Sequence, residues 1–233
     1  AGTANFQKAV DPNMVASARH AEATYDYETA TAQYQALLQR HPGDRAYSIA
    51  YARTLRYSGK TEVAVAVLSE WLSRNQPDAK VLLELGKAYL AADRLNLAEK
   101  MLRQSIDLDP NNWDSYSSLA VVRDYQDNRA DAAALYQEAL KISPNNATVL
   151  NNLALSRAQA GDINGAIEAL RKATEQPAAS PQMRQNLALM LSLKGDLSGA
   201  ERLAQKDLPP DMARKNMNYF RHMSGQDGGR PTD

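Results

Sequence analysis

The sequence predicts an all-α fold: a right-handed solenoid of six helix-turn-helix repeats, closed by a C-terminal capping helix. Three observations predict it. Alanine recurs at 30, 64, 98, 132, 166 and 200, a spacing of 34 residues without a slip. Twelve positions before each stands another small residue: Ala18, Ala52, Gly86, Ala120, Ala154 and Ala188. Proline, glycine, asparagine and aspartate fall between the periodic stretches, where chain reversals belong. A long strict period carried by small residues is the mark of stacked supersecondary units, each burying its apolar face against the next.

With position 1 set at Asp11, the units run 11–44, 45–78, 79–112, 113–146, 147–180 and 181–208, behind a tether of residues 1–10. The first unit departs from the pattern, with Ser17 where leucine is expected and Tyr25 in place of a turn glycine. The second carries Gly59 in its internal turn, as the fifth and sixth carry Gly161 and Gly195, because a residue able to take positive φ ends the first helix. The third shows both helices best: Leu82, Leu85, Ala88 and Tyr89 keep the helical period, and Leu95, Ala98, Leu102 and Ile106 resume it after Asp93 and Arg94. Pro42, Pro110 and Pro144 close units, with Pro77 and Pro177 one place off and Pro209 early. Proline removes an amide and clashes with the preceding turn, and the neighbouring Asn and Asp supply the next N-cap. Large residues fill position 24 (Tyr34, Leu68, Leu102, Tyr136, Leu170, then Ala204) and position 28 (Leu38, Leu72, Ile106, Leu140, Thr174, Leu208). Beyond Pro210 a last helix, within 209–223, lines up Ala213, Met217 and Phe220 to cap the stack, and the tail 224–233 has nothing to bury and is expected to be disordered.

Composition narrows function. With 27 basic and 27 acidic side chains the chain lacks the positive field that nucleic acid or an anionic membrane needs. Cysteine is absent, so thiol nucleophiles and cysteine metal sites are excluded. His20, His41 and His222 stand in different units without a second ligand at metal spacing, and an isolated histidine is more often packing or surface. Ser58-Gly59-Lys60 lacks the earlier glycine and strand of a phosphate loop, and Asn146-Ala147-Thr148 serves an inter-repeat turn. The expectation is a non-enzymatic protein with no cofactor and no metal.

What remains is surface. In stacked hairpins the first helix of each unit lines an inner groove, with positions 2, 5, 6, 9, 12 and 13 facing it. Position 9 reads Arg19, Arg53 and Lys87, then Val121, Leu155 and Leu189, and Arg56 adds to the basic end. Tyr57 and Tyr125 offer flat amphipathic surface. In the second half Asn151 and Asn152, then Gln185 and Asn186, occupy positions 5 and 6; amides that donate and accept together can clamp an extended backbone. The basic residues equally suit a solvated helix surface, and the asparagines a helix N-cap. The expected ligand is a protein or peptide segment.

Small residues at positions 8 and 20, an aromatic or Leu at 24 and Pro near 32 resemble the tetratricopeptide repeat family across residues 11–208. The lysine and asparagine set of the chaperone-tail carboxylate clamp is missing, since position 5 of the first three units is Val15, Ile49 and Leu83. The phrases NNLALSRAQAGDINGAIEALRKA, RQNLALMLSLKGDLSGAERLAQKDLP and NMNYFRHM, within 151–223, resemble the TadD family of tetratricopeptide lipoproteins from tight-adherence (Flp) pilus systems. That resemblance implies a periplasmic protein attached to the outer membrane, binding other pilus or secretin components. Its anchor would be a lipidated cysteine upstream of Ala1, the only membrane link expected. A secretin pilotin, a cytoplasmic adaptor and a repeat domain joined to an enzyme such as a glycosyltransferase stay open as alternatives.

Overall fold

The computed structural model describes the backbone of residues 2–223 and the side chains of residues 11–222. Its helices are α1 (Gly2–Ala23), α2 (Tyr27–Arg40), α3 (Arg45–Tyr57), α4 (Thr61–Arg74), α5 (Ala79–Ala91), α6 (Leu95–Leu108) and α7 (Trp113–Tyr125). There follow α8 (Arg129–Ile142), α9 (Ala147–Gln159), α10 (Ile163–Thr174), α11 (Pro181–Leu193), α12 (Leu197–Asp207) and α13 (Pro210–Met223). No strand occurs among the described residues. The chain divides at Gln126 and Asp127 into two compact units, one holding α1 to α7 and the other α8 to α13.

In the first unit each even helix packs between the odd helix of its own hairpin and the odd helix of the next, and α3, α5 and α7 also touch in sequence. An inner layer of odd helices and an outer layer of even ones result. The second unit repeats the scheme, and α13 lies on α11 and α12 where another odd helix would stand. Ala213, Met217 and Phe220 are its buried side chains, as the cap requires.

The alanine columns explain the close approach. Ala30, Ala64, Ala98, Ala132, Ala166 and Ala200 are all at 0% exposure, and so are the five alanines of the position 8 column. At Gly86 even a methyl is too much: a Cβ there would stand 2.7 Å from Leu102 Cγ in α6. Position 24 is buried throughout, whereas the position 28 residues are only half-buried, because they close the outer edge of each hairpin.

Turns follow the same period. Asp44, Asp78, Asn112, Asn146 and Ser180, spaced by 34, each accept a hydrogen bond from the first turn of an odd helix. The internal turns all place one residue in the left-handed region: Gly59, Gly161 and Gly195, but also Tyr25, Asp93 and Asp127. One expectation changes. Residues 2–10, read as a tether, are helical backbone continuous with α1, which accommodates Pro12 in its interior at the loss of one helical hydrogen bond. The tail 224–233 lies outside the described residues.

Candidate protein-binding surface

In the first unit, complementary charges on consecutive odd helices meet. Arg53 in α3 reaches Glu22 in α1 at 2.7 Å, Arg56 in α3 reaches Glu84 in α5 at 2.8 Å, and Lys87 in α5 reaches Asp114 in α7 at 2.6 Å. The Arg56 and Glu84 side chains are 13% and 7% exposed, so that pair is nearly dry. Desolvation opposes the Arg56 charge, but the Glu84 carboxylate outweighs it and raises the guanidinium above its ordinary pKa. Glu22 also accepts from the Tyr34 hydroxyl at 2.8 Å; burial first, then this bond, pushes the phenol up to about 12. Three of the four basic residues singled out by the sequence are therefore ties between repeats. Arg19, exposed on α1, has no carboxylate partner among the described residues.

The aromatic residues are less committed. Tyr57 stacks on Tyr27 with ring centroids 4.8 Å apart, and the Arg56 guanidinium lies 4.4 Å from the Tyr57 centroid. Tyr25 meets Tyr27 edge-on at 6.3 Å. Even so, Tyr57 is 50% exposed and Tyr125, at the corresponding place in α7, 69%.

In the second unit the amides find one another. Asn186 in α11 donates to Asn151 in α9 at 2.9 Å, Gln182 donates to Asn186 at 3.1 Å, and Asn151 leans on Asn152 at 3.4 Å. Asn216 of α13 donates to Gln185 at 3.3 Å, while the buried Gln185 amide nitrogen has no partner among the described residues. These amides tie α9 to α11 and α11 to α13. None is an N-cap, a task done by Asn146 and Ser180. Exposed Leu155 and Leu193 complete this face with apolar surface.

Sequence reasoning missed the acidic partners Glu22, Glu84 and Asp114 and the aromatic neighbours Tyr25 and Tyr27. A signal existed: the acids occupy inward positions 12, 6 and 2, where a carboxylate beside a basic column on the next helix forecasts a tie. On the outer layer, a cleft of about 360 Å³ opens between α2 and α4, lined by Leu38, Tyr51, Val67 and Trp71; the Trp71 indole donates to the Gly43 carbonyl at 2.9 Å. Among the described residues no cluster of His, Asp and Glu could hold a metal, and no helix is long and apolar enough to cross a membrane.

Family models described as Tetratricopeptide repeat match residues 15–80, 117–183 and 151–213, and a second matches 55–120. Among solved structures, the APC/C hetero-tetramer Cut9–Hcn1 is similar with a TM-score of 0.72 at 17% identity, covering 90% of this chain and 42% of that one. This chain thus spans under half the length of that relative. A thermophilic TPR protein of Thermus thermophilus gives 0.63 at 20% identity, covering 76% and 95%. YrrB, described as a TPR protein with an unusual peptide-binding site, gives 0.50 at 18%, covering 81% and 97%. At these identities the likeness is one of fold. No curated protein matches the chain in sequence.

Proposed function

Because the chain belongs to the tetratricopeptide repeat family, we propose that it is a protein-interaction scaffold of the TadD type in a tight-adherence (Flp) pilus secretion machine. Proteins of this family are interaction scaffolds, and the pilus assignment draws on the resemblance of residues 151–223. The partner segment lies along the odd-helix surface of the first unit. One observation supports this mode above others: the ion pairs consume Arg53, Arg56 and Lys87 and leave Tyr57 and Tyr125 exposed as contact groups. Holding a segment by aromatic surface makes the complex weakly salt-dependent, unlike one built on exposed charge. Arg19 is open to a carboxylate of the partner. The compartment proposed is the periplasmic face of the outer membrane.

Capture of pilus or secretin components by the tagged full-length protein in cells carrying such a system tests the proposal. The expected result is recovery of a pilus component from the membrane fraction, reduced about tenfold by Tyr125→Ala, the effect of losing one well-placed aromatic contact. Capture untouched by that substitution would move the site to the outer cleft at Trp71. Recovery of no pilus component, or a purely cytoplasmic protein, would overturn the pilus assignment.

A further inference from the structure

Tyr25 is in the wrong place for its own stability. Its φ is 61°, in the left-handed region, at the turn position that the second, fifth and sixth repeats give to glycine. Aspartate at the same place in the third and fourth repeats is tolerated there, whereas a bulky aromatic is an outlier. Nor does burial compensate, since Tyr25 is 66% exposed. A residue that strains the backbone without being buried marks a candidate functional position.

Its surroundings suggest what. Tyr25, Tyr27 and Tyr57 form one ledge at the end of the first two hairpins, presenting a ring edge, a stacked pair and the Arg56 guanidinium behind it. Beside the ledge the Arg56 charge is matched by Glu84, and the Asp26 carboxylate accepts from the Thr29 amide to cap α2. The Tyr25 and Tyr27 hydroxyls meet no acceptor among the described residues. Burial, then the neighbouring Tyr57 and Tyr25, raise the Tyr27 phenol above its ordinary value, so it keeps its proton as a donor.

We propose that this ledge binds an extended, proline-bearing segment of the partner. Flat aromatic rings pack against the compact apolar face of a prolyl ring, and the hydroxyl donors suit the carbonyl acceptors of a polyproline II strand, which has no internal hydrogen bonds. The inference rests on the scaffold reading above and specifies the chemistry of what the scaffold holds.

The test uses the full chain and two capped peptides of equal length, decaproline and a glycine-serine repeat, titrated calorimetrically. Decaproline should bind the parent, and the glycine-serine peptide should not. Tyr25→Gly should weaken decaproline at least about tenfold, the scale of a lost aromatic contact, while its melting temperature is unchanged or up to about 4 °C higher. Tyr57→Leu, which leaves the Arg56–Glu84 pair in place, should weaken binding likewise. Equal affinity of parent and Tyr25→Gly, equal affinity for the two peptides, or no decaproline binding at all would overturn the proposal. So would a melting temperature of Tyr25→Gly clearly below the parent's, since Tyr25 would then be serving the fold. Purified peptides make the outcome independent of the pilus assignment, which stands or falls on capture from cells.

Discussion

Removing Arg56 decides between a groove residue waiting for a ligand and a tie between repeats. The structure makes it a tie, with its side chain 13% exposed and Glu84 at 7%. Arg56→Met strands the Glu84 carboxylate in a nearly dry site, at a cost of about 3–5 kcal/mol, with about 0.5–1 kcal/mol more from the lost contact with Tyr57. For a chain of this size 1 kcal/mol moves the midpoint by roughly 2–4 °C, so the combined loss of about 3.5–6 kcal/mol should lower it by roughly 7–24 °C in circular dichroism melting. The exposed pair Arg74–Glu70, at 74% and 61%, is the control: Arg74→Met should cost at most about 1 kcal/mol. Replacing both members, Arg56→Met with Glu84→Leu, should recover most of the loss, since an apolar pair of similar volume needs no desolvation. If Arg56→Met proves no worse than Arg74→Met, or the double variant is as unstable as the single, the reasoning from burial fails.

Two further substitutions probe packing and charge. Gly86→Ala gains about 1 kcal/mol of helix propensity but sets a methyl 2.7 Å from Leu102 Cγ, where overpacking costs about 1–3 kcal/mol; chemical denaturation should show a net loss of about 0–2 kcal/mol, and a gain in stability would contradict the contact. Asp207, clamped by both ends of the Arg184 guanidinium at 2.6 Å, has its carboxyl lowered from 3.8, first by that hydrogen bonding. A lowered folded-state value means the stabilisation is complete above the unfolded pKa and is lost as pH falls through the folded one. Melts taken between about pH 4 and pH 2 should therefore decline more steeply for the parent than for Asp207→Asn, and parallel acid limbs would remove the clamp from the account.

Much of the architecture was legible because the repeat writes each constraint six times. Ala98 alone says little; Ala98 in a column of six says that two helices touch there. The same holds for the N-caps from Asp44 to Ser180, and for the turn residues. Where a column changes identity, the reading weakened. Glu84 stands at position 6, where the later units carry Asn152 and Asn186, and it is the partner that pairs with Arg56 in a nearly dry site. Tyr25 looked like a defect in the turn, although it joins Tyr27 and Tyr57 in one aromatic cluster. Asn151 and Asn186 looked free to hold a ligand backbone, yet they first hold each other.

By itself the sequence determined the helices, their turns, the alanine contacts and the cap of α13, all consequences of short-range period and of steric fit that one residue type satisfies. Only the tertiary structure decided which polar side chains are occupied. These ion pairs and amide hydrogen bonds bridge residues 27 to 35 positions apart, and whether such groups meet depends on how one hairpin seats on the next, a geometry to which no local pattern responds.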